Sequence, residues 1–301
     1  MEKKLYEGLT NSGKTNAIKK RVNELIKENK SMLILDTKNE YEELFKNTNY
    51  EIIKLNIRKL EESVKYNPLL DANILYKKGN IDESIEKIMS FGNLLFKTKE
   101  SIDPYWDNCA KSIYTGICLY ILENNRDLNI KEIFKVSISE YEDLCDYINK
   151  QDVLSTINMI TSSVINAPKE TRESILSVFN EKLGYFAHRP NLLNNICTMN
   201  KLEIKNKNQV ILLTNLDQNS IFNIIIDVFI ENTVNEMIER KEDYAIILDN
   251  FDSVYDKTIY TNLFKTYLSD NIECIVGVRD NSLVKPLDEF LVMYRKGNFT
   301  E

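Results

Sequence analysis

The residues with the clearest chemical signature lie close to the start of the chain. Gly8-Leu9-Thr10-Asn11-Ser12-Gly13-Lys14-Thr15 has the spacing of a phosphate-binding loop, in which two glycines separated by four residues precede Lys and Thr. The glycines let the backbone turn its N–H groups toward phosphate oxygens, and the dipole of the following helix adds to that attraction. A chance turn before a helix is the alternative, and it is disfavoured because the chain has only 8 glycines.

This loop predicts ATP and Mg²⁺ as ligands. Lys14 is expected to reach the β- and γ-phosphates, and the Thr15 hydroxyl is expected to hold the metal ion. The expected nucleotide-binding residues are Gly8, Thr10, Asn11, Ser12, Gly13, Lys14 and Thr15.

The second half of such a site is an acidic residue at the end of a hydrophobic strand, which contacts Mg²⁺ through water. Asp249 follows the apolar run 244–248, and Asp36 follows the run 32–35. Either could lie at the carboxyl edge of a sheet, where ligands bind in open α/β folds. We expect Asp249 to be the metal partner, with an ordinary strand-end aspartate as the alternative.

Alternating strand and helix patterns predict the scaffold for these residues. Apolar runs predict strands at 32–36, 50–55, 209–214, 244–248 and 272–278, and helical spacing predicts helices at 13–30, 218–240 and 258–268. From 82 to 183 the periodicity is helical throughout. The sequence therefore predicts an α/β fold with a mostly parallel sheet, built from segments 1–80 and 190–301, and an all-α domain inserted at 81–189.

Composition narrows the classes of function. The net charge of -7 gives no global attraction toward nucleic acid, so a DNA role would need a local basic surface. The five cysteines are far apart and the chain has one histidine, which argues against a zinc cage and favours a reducing compartment. No apolar run reaches the length of a membrane span, and no signal peptide precedes the loop. We expect a cytoplasmic protein.

Several further segments resemble the conjugative coupling proteins of type IV secretion, the TraG/VirD family of DNA-transfer ATPases. Asp36-Thr37-Lys38-Asn39-Glu40 resembles the family's Asp-x-Lys-x-Glu strand end, and Tyr66-Asn67-Pro68-Leu69 resembles its Asn-Pro-Leu element. Asp103-Pro104-Tyr105-Trp106-Asp107 with Ala110 resembles the segment that opens its helical domain. The resemblance covers most of the chain and implies a RecA-like P-loop NTPase, a hexameric ring and single-stranded DNA in its centre.

Two positions depart from the family pattern. Where the family has Asp-Glu, this chain has Asp249-Asn250, so the residue expected to orient the attacking water is an amide, which is a negligible proton acceptor. Arg279 stands where the family usually has a Gln that senses the γ-phosphate, and Arg can also fork to phosphate oxygens. Asp252 could replace the missing base only if its loop turns it inward. The family's N-terminal membrane helices have no counterpart before residue 8, so membrane contact would come through partners.

Three functions remain open at this level. The first is an ATPase that engages or moves DNA in conjugation, with Asp249, Asn250 and Arg279 as catalytic candidates and relaxosome or secretion proteins as partners. The second is a nucleotide-binding switch with little hydrolysis, which Asn250 and Arg279 favour. The third is a small-molecule P-loop kinase, which is disfavoured because the helical segment has few arginines to clamp phosphates.

Overall fold

The computed structural model describes residues 3–9, 12–97, 104–205, 207–216, 220–241, 243–254, 256, 272–279 and 293–296. Seven strands within these residues form one sheet in the order β3-β4-β2-β5-β6-β1-β7. The strands are β1 (Lys3–Glu7), β2 (Ser31–Leu35), β3 (Glu51–Asn56), β4 (Gln209–Thr214), β5 (Tyr244–Leu248), β6 (Glu273–Val278) and β7 (Met293–Lys296). Every pairing among them is parallel. The predicted α/β class and mostly parallel sheet are confirmed.

Ten α-helices are described. They are α1 (Lys14–Lys27), α2 (Leu70–Lys77), α3 (Ile81–Leu95), α4 (Tyr105–Glu123), α5 (Ile130–Ser139), α6 (Tyr141–Lys150), α7 (Thr156–Ile165), α8 (Lys169–Ala187), α9 (Pro190–Asn195) and α10 (Ile224–Glu239). The helix predicted at 258–268, and Asp103 of the segment noted above, lie outside the described residues. Within the described part of the chain, no helix is long and apolar enough to cross a bilayer.

The chain divides into two compact units. The first comprises Met1–Val64 with Leu202–Glu301 and holds the sheet, α1 and α10. The second, Lys65–Lys201, holds α2 to α9. The domain limits predicted at residues 81 and 189 lie within this second unit. Its core lies along α4, whose Ile113, Ile117 and Ile121 are fully buried.

The first helix is anchored on the sheet directly after Gly13. Ile18, Val22 and Leu25 recur at helical spacing and are fully buried in the same apolar cluster as strand residues such as Met32 and Ile247. Burial of each such side chain contributes about 1.5–3 kcal/mol. This packing holds the start of α1, and therefore Lys14 and Thr15, against the carboxyl edge of the sheet.

Candidate nucleotide site

The loop between β1 and α1 presents its lysine to the interior. Gly13 has φ 84° and ψ 5°, a left-handed conformation that glycine adopts without strain, and it caps the start of α1. Lys14 is only 7% exposed, and its Nζ donates hydrogen bonds to the carbonyl oxygens of Gly8 and Leu9, the latter at 2.9 Å. Phosphate oxygens are alternative acceptors for the same ammonium. Thr10 and Asn11 lie outside the described residues.

Thr15 and Asp249 meet across the sheet edge. The Thr15 hydroxyl donates to Asp249 Oδ2 at 2.8 Å, although the two residues are 234 positions apart. Tyr41 donates its hydroxyl to the same oxygen at 2.9 Å. Asp249 Oδ1 is buried and has no hydrogen-bond partner among the described residues. The structure therefore brings together the two residues that the sequence assigned to a metal ion.

Gly277 makes room for this contact. Strand β6 lies between β1 and β5, so the link from Thr15 to Asp249 must cross it. A Cβ atom at Gly277 would lie 3.0 Å from Asp249 Oδ1 and 3.1 Å from Ile18 Cδ1, closer than ordinary van der Waals contact. A side chain at this position would therefore press on both the carboxylate and the anchor of α1.

Burial shifts the titration of both charged groups. The pKa of Asp249 is raised, chiefly because burial disfavours its charge, while the hydrogen bonds from Thr15 and Tyr41 act in the opposite direction. The pKa of Lys14 is lowered, again chiefly by burial. The negative charges of Asp249 and Asp252 oppose that shift, whereas the positive charge of Arg279 adds to it.

The loop borders a cavity of about 590 Å³, within the range of roughly 300–1,000 Å³ that ligand sites occupy. Its lining includes Ser12, Lys14, Thr15, Asn250, Asp252 and Arg279. Ser12 Oγ is buried and, like Asp249 Oδ1, has no hydrogen-bond partner in the described part of the chain. A hydroxyl that donates to a carboxylate keeps its lone pairs for a cation. These donors and acceptors fit a phosphate chain with a hard cation such as Mg²⁺.

Asp36, the competing metal candidate, has a different role. Its two carboxylate oxygens accept hydrogen bonds from the backbone N–H groups of Glu40 at 2.8 Å and Tyr41 at 3.0 Å. This shapes the loop after β2 and places Tyr41 beside Asp249. Asp36 thus acts on the site indirectly, through the loop that carries Tyr41. Asp249 is the carboxylate that contacts Thr15.

Asn250 and Arg279 both border the cavity. Asn250 has φ 60° and ψ 48°, and its Nδ2 donates to Thr37 Oγ1 at 3.0 Å. Arg279 follows β6, its side chain is exposed, and its backbone N–H donates to Asp252 Oδ2 at 3.0 Å.

Sequence reasoning missed Tyr41 and Gly277. A glycine inside a strand is a recognised sign of close backbone approach, and Gly277 could have been noticed on that ground. Tyr41 offered no such signal, because its contact with Asp249 spans 208 positions.

The fold and site geometry define an α/β protein with a polar, partly buried ligand site at the carboxyl edge of a parallel sheet. Residues 2–254 match the family model described as the type IV secretion-system coupling protein DNA-binding domain. The match covers most of the chain, so the chain belongs to this family and the resemblance inferred from its motifs is confirmed. No curated protein matches the chain.

Solved structures show the same fold at low sequence identity. The bacterial conjugative coupling protein TrwBdeltaN70 in complex with sulphate matches with a TM-score of 0.65 and 11% identity over 94% of this chain. TrwB in complex with the ATP analogue ADPNP matches with a TM-score of 0.64 and 12% identity, also over 94%. This chain spans 65% of each of those chains. VirB4 of Thermoanaerobacter pseudethanolicus matches with a TM-score of 0.62 and 11% identity, over 96% of this chain and 73% of its own.

Proposed function

We propose that the chain is a RecA-like P-loop ATPase that binds ATP with Mg²⁺ in the cavity and uses its hydrolysis to engage or translocate DNA in conjugative transfer. The contact between Thr15 and Asp249 beside Lys14 carries this proposal, because it assembles the lysine, hydroxyl and carboxylate that such a site requires. Family membership supports the link to type IV secretion. Solved complexes of TrwB with ADPNP, and with ADP and Mg²⁺, support the choice of ligand.

Each residue of the site has an assigned task. On ATP binding, the Lys14 ammonium exchanges its hydrogen bonds to the loop carbonyl oxygens for hydrogen bonds to β- and γ-phosphate oxygens. The other residues assigned to phosphate binding are Gly8, Thr10, Asn11, Ser12 and Gly13. Thr15 and Asp249 hold Mg²⁺, which would neutralise charge on the phosphates. The Arg279 guanidinium, at the rim of the same cavity, binds the γ-phosphate.

The second unit, Lys65–Lys201, is assigned as an all-α domain inserted into the nucleotide-binding domain. By analogy with the family, we infer a homo-hexamer that handles single-stranded DNA and docks on relaxosome or secretion-system proteins at the cell membrane. Because the net charge of the chain is -7, DNA contact must rely on a local basic surface. DNA binding should therefore weaken steeply as salt is raised.

A nucleotide-gated switch with little hydrolysis is the second candidate. One observation favours it: Asn250 occupies the family's glutamate position and donates its amide to Thr37, so it cannot accept a proton there. In this case the chain would bind ATP and dock on the conjugation apparatus without rapid turnover.

The test is ATP binding and phosphate release by the purified protein with Mg²⁺, with and without single-stranded DNA. Lys14→Ala should abolish binding, whereas Lys20→Ala, an exposed lysine on the same helix, should bind as the wild type does. DNA-stimulated release that is lost in Lys14→Ala supports the motor. Binding without release, with turnover gained in Asn250→Glu, supports the switch. Wild-type protein that does not bind ATP would refute both.

A further inference from the structure

Asn250 starts a turn that the other residues of the site hold in place. Its left-handed conformation is one that asparagine tolerates better than most residues, and it lies between β5 and the turn that follows. The next three residues, Phe251–Ser253, form a 3₁₀ turn. Ser253 donates its backbone N–H and its hydroxyl to the Asn250 carbonyl oxygen at 2.9 and 2.7 Å. Asn215 donates its side-chain amide to the Ser253 carbonyl oxygen at 3.0 Å.

This turn carries Asp252 into the nucleotide cavity. Asp252 is only 7% exposed and borders the same cavity as Lys14 and Thr15. A buried position beside the cavity is what a role as base requires of Asp252.

The carboxylate of Asp252 is fixed and lies near the phosphate end of the site. Arg279 donates its backbone N–H to Asp252 Oδ2 at 3.0 Å, which uses one of the roughly four acceptor positions of a carboxylate. Among the charges that raise the pKa of Lys14, that of Asp252 is second only to that of Asp249. Since Lys14 is the residue assigned to the β- and γ-phosphates, Asp252 borders the part of the cavity that the proposed phosphates would occupy.

We propose that Asp252 is the catalytic carboxylate of this chain, which accepts a hydrogen bond from the attacking water and takes its proton. The inference rests on the proposed ATPase function. The water oxygen forms a bond to the γ-phosphorus as the bond from that phosphorus to the β–γ bridging oxygen breaks, and the electron pair of the broken bond goes to ADP. The proton passes to Asp252 and then to solvent, so ADP, inorganic phosphate and one proton are the products.

Two structural roles for Asp252 make different predictions. A carboxylate that served only as a partner for Lys14 would affect ATP binding, so its loss would appear in the Kd and KM for ATP. A carboxylate that served only to hold the turn would affect the thermal stability of the protein. In that role an asparagine could replace it, because the amide oxygen accepts the same hydrogen bond from the Arg279 N–H. A catalytic carboxylate affects kcat, because an amide hydrogen-bonds water but is a negligible proton acceptor.

The experiment compares Asp252→Asn with the control Lys20→Ala in the full chain, with Mg²⁺ and saturating DNA. Asp252→Asn keeps a side-chain oxygen that can accept the hydrogen bond from the Arg279 backbone N–H. For each variant, kcat, KM, the Kd for a non-hydrolysable ATP analogue and the Tm are measured. Asp252→Ser, which is shorter and also unable to take the proton, serves as a second variant.

We expect kcat to fall about 10²- to 10⁴-fold in Asp252→Asn and Asp252→Ser, with the Kd for the analogue unchanged. Lys20→Ala should retain the kcat of the wild type, because its side chain is exposed and lies outside the lining of the cavity. An Asp252→Asn variant that retains its kcat, while Lys14→Ala loses all turnover, overturns the inference and leaves the ATPase proposal standing. Wild-type protein that binds ATP without turnover also overturns it, whereas failure to bind ATP refutes the underlying function.

Discussion

The hydrogen bond from Tyr41 to Asp249 can be tested by removing a single oxygen atom. Tyr41 is 1% exposed and packs in the apolar cluster with Ile18 and Phe45, so Tyr41→Phe leaves its ring in place. The lost bond has a charged acceptor, and such bonds contribute about 1.5–3 kcal/mol. We expect the free energy of unfolding of the first unit to fall by about this amount at neutral pH, measured by urea denaturation.

Tyr50→Phe is the matched control. Tyr50 belongs to the same cluster and donates its hydroxyl to the Lys30 carbonyl oxygen at 2.8 Å, a neutral acceptor. Its loss should cost only about 0.5–1.5 kcal/mol. Burial raises the pKa of Tyr50 to about 12 and that of Tyr41 well above its usual value. Both hydroxyls therefore stay protonated near neutrality.

The two variants should also differ in their pH dependence. The folded-state pKa of Asp249 is raised, so the stability that its protonated form contributes is present at low pH and is lost as pH rises through that pKa. Removal of the Tyr41 hydroxyl raises the pKa further, so the variant loses more stability over the same rise. The deficit of Tyr41→Phe should shrink as pH falls below the raised folded-state pKa of Asp249, while that of Tyr50→Phe stays constant. If both variants lost the same stability at every pH, the claim that the Tyr41 hydroxyl stabilises an ionised Asp249 carboxylate would be refuted.

Three further changes test the framework of the site. Gly277→Ala should weaken ATP binding in a titration with Mg²⁺, because its Cβ would lie only 3.0 Å from Asp249 Oδ1. Binding equal to that of the wild type would show that the strand shifts to accommodate the methyl group. Asn250→Ala should be less stable to urea than Asn250→Gly by about 1–2 kcal/mol, the cost of a left-handed residue with a Cβ. Arg21→Ala should destabilise the first unit more than Glu24→Ala does. The Arg21 guanidinium donates to both carboxylate oxygens of Glu273 at 2.8 Å, and the Glu273 side chain is 3% exposed. Removal of Arg21 therefore leaves a buried carboxylate without the guanidinium that pairs with it.

Local patterns in the sequence were enough to predict the α/β scaffold and to propose a phosphate-binding loop with a strand-end carboxylate. Gly8 and Gly13 with Lys14 and Thr15 predict a phosphate-binding loop, because such a loop is built from consecutive residues. The parallel strands and α1 follow from short apolar runs and helical spacing, which depend on neighbours within a few positions. Asp249 was identified because strand ends carry ligand residues in α/β folds.

The contacts that complete the site depend on the tertiary structure. The order of the strands places β6 between β1 and β5. Because of that order, the hydrogen bond from Thr15 to Asp249 passes over Gly277, where a side chain would crowd the carboxylate. Tyr41 contacts Asp249 because Asp36 shapes the intervening loop, and Asp252 faces the cavity because Asn250 turns left-handed. The sequence alone predicted which groups this protein would bring to a phosphate. Long-range packing decided which carboxylate touches which hydroxyl, because hydrogen bonds between residues some two hundred positions apart leave no local pattern in the chain.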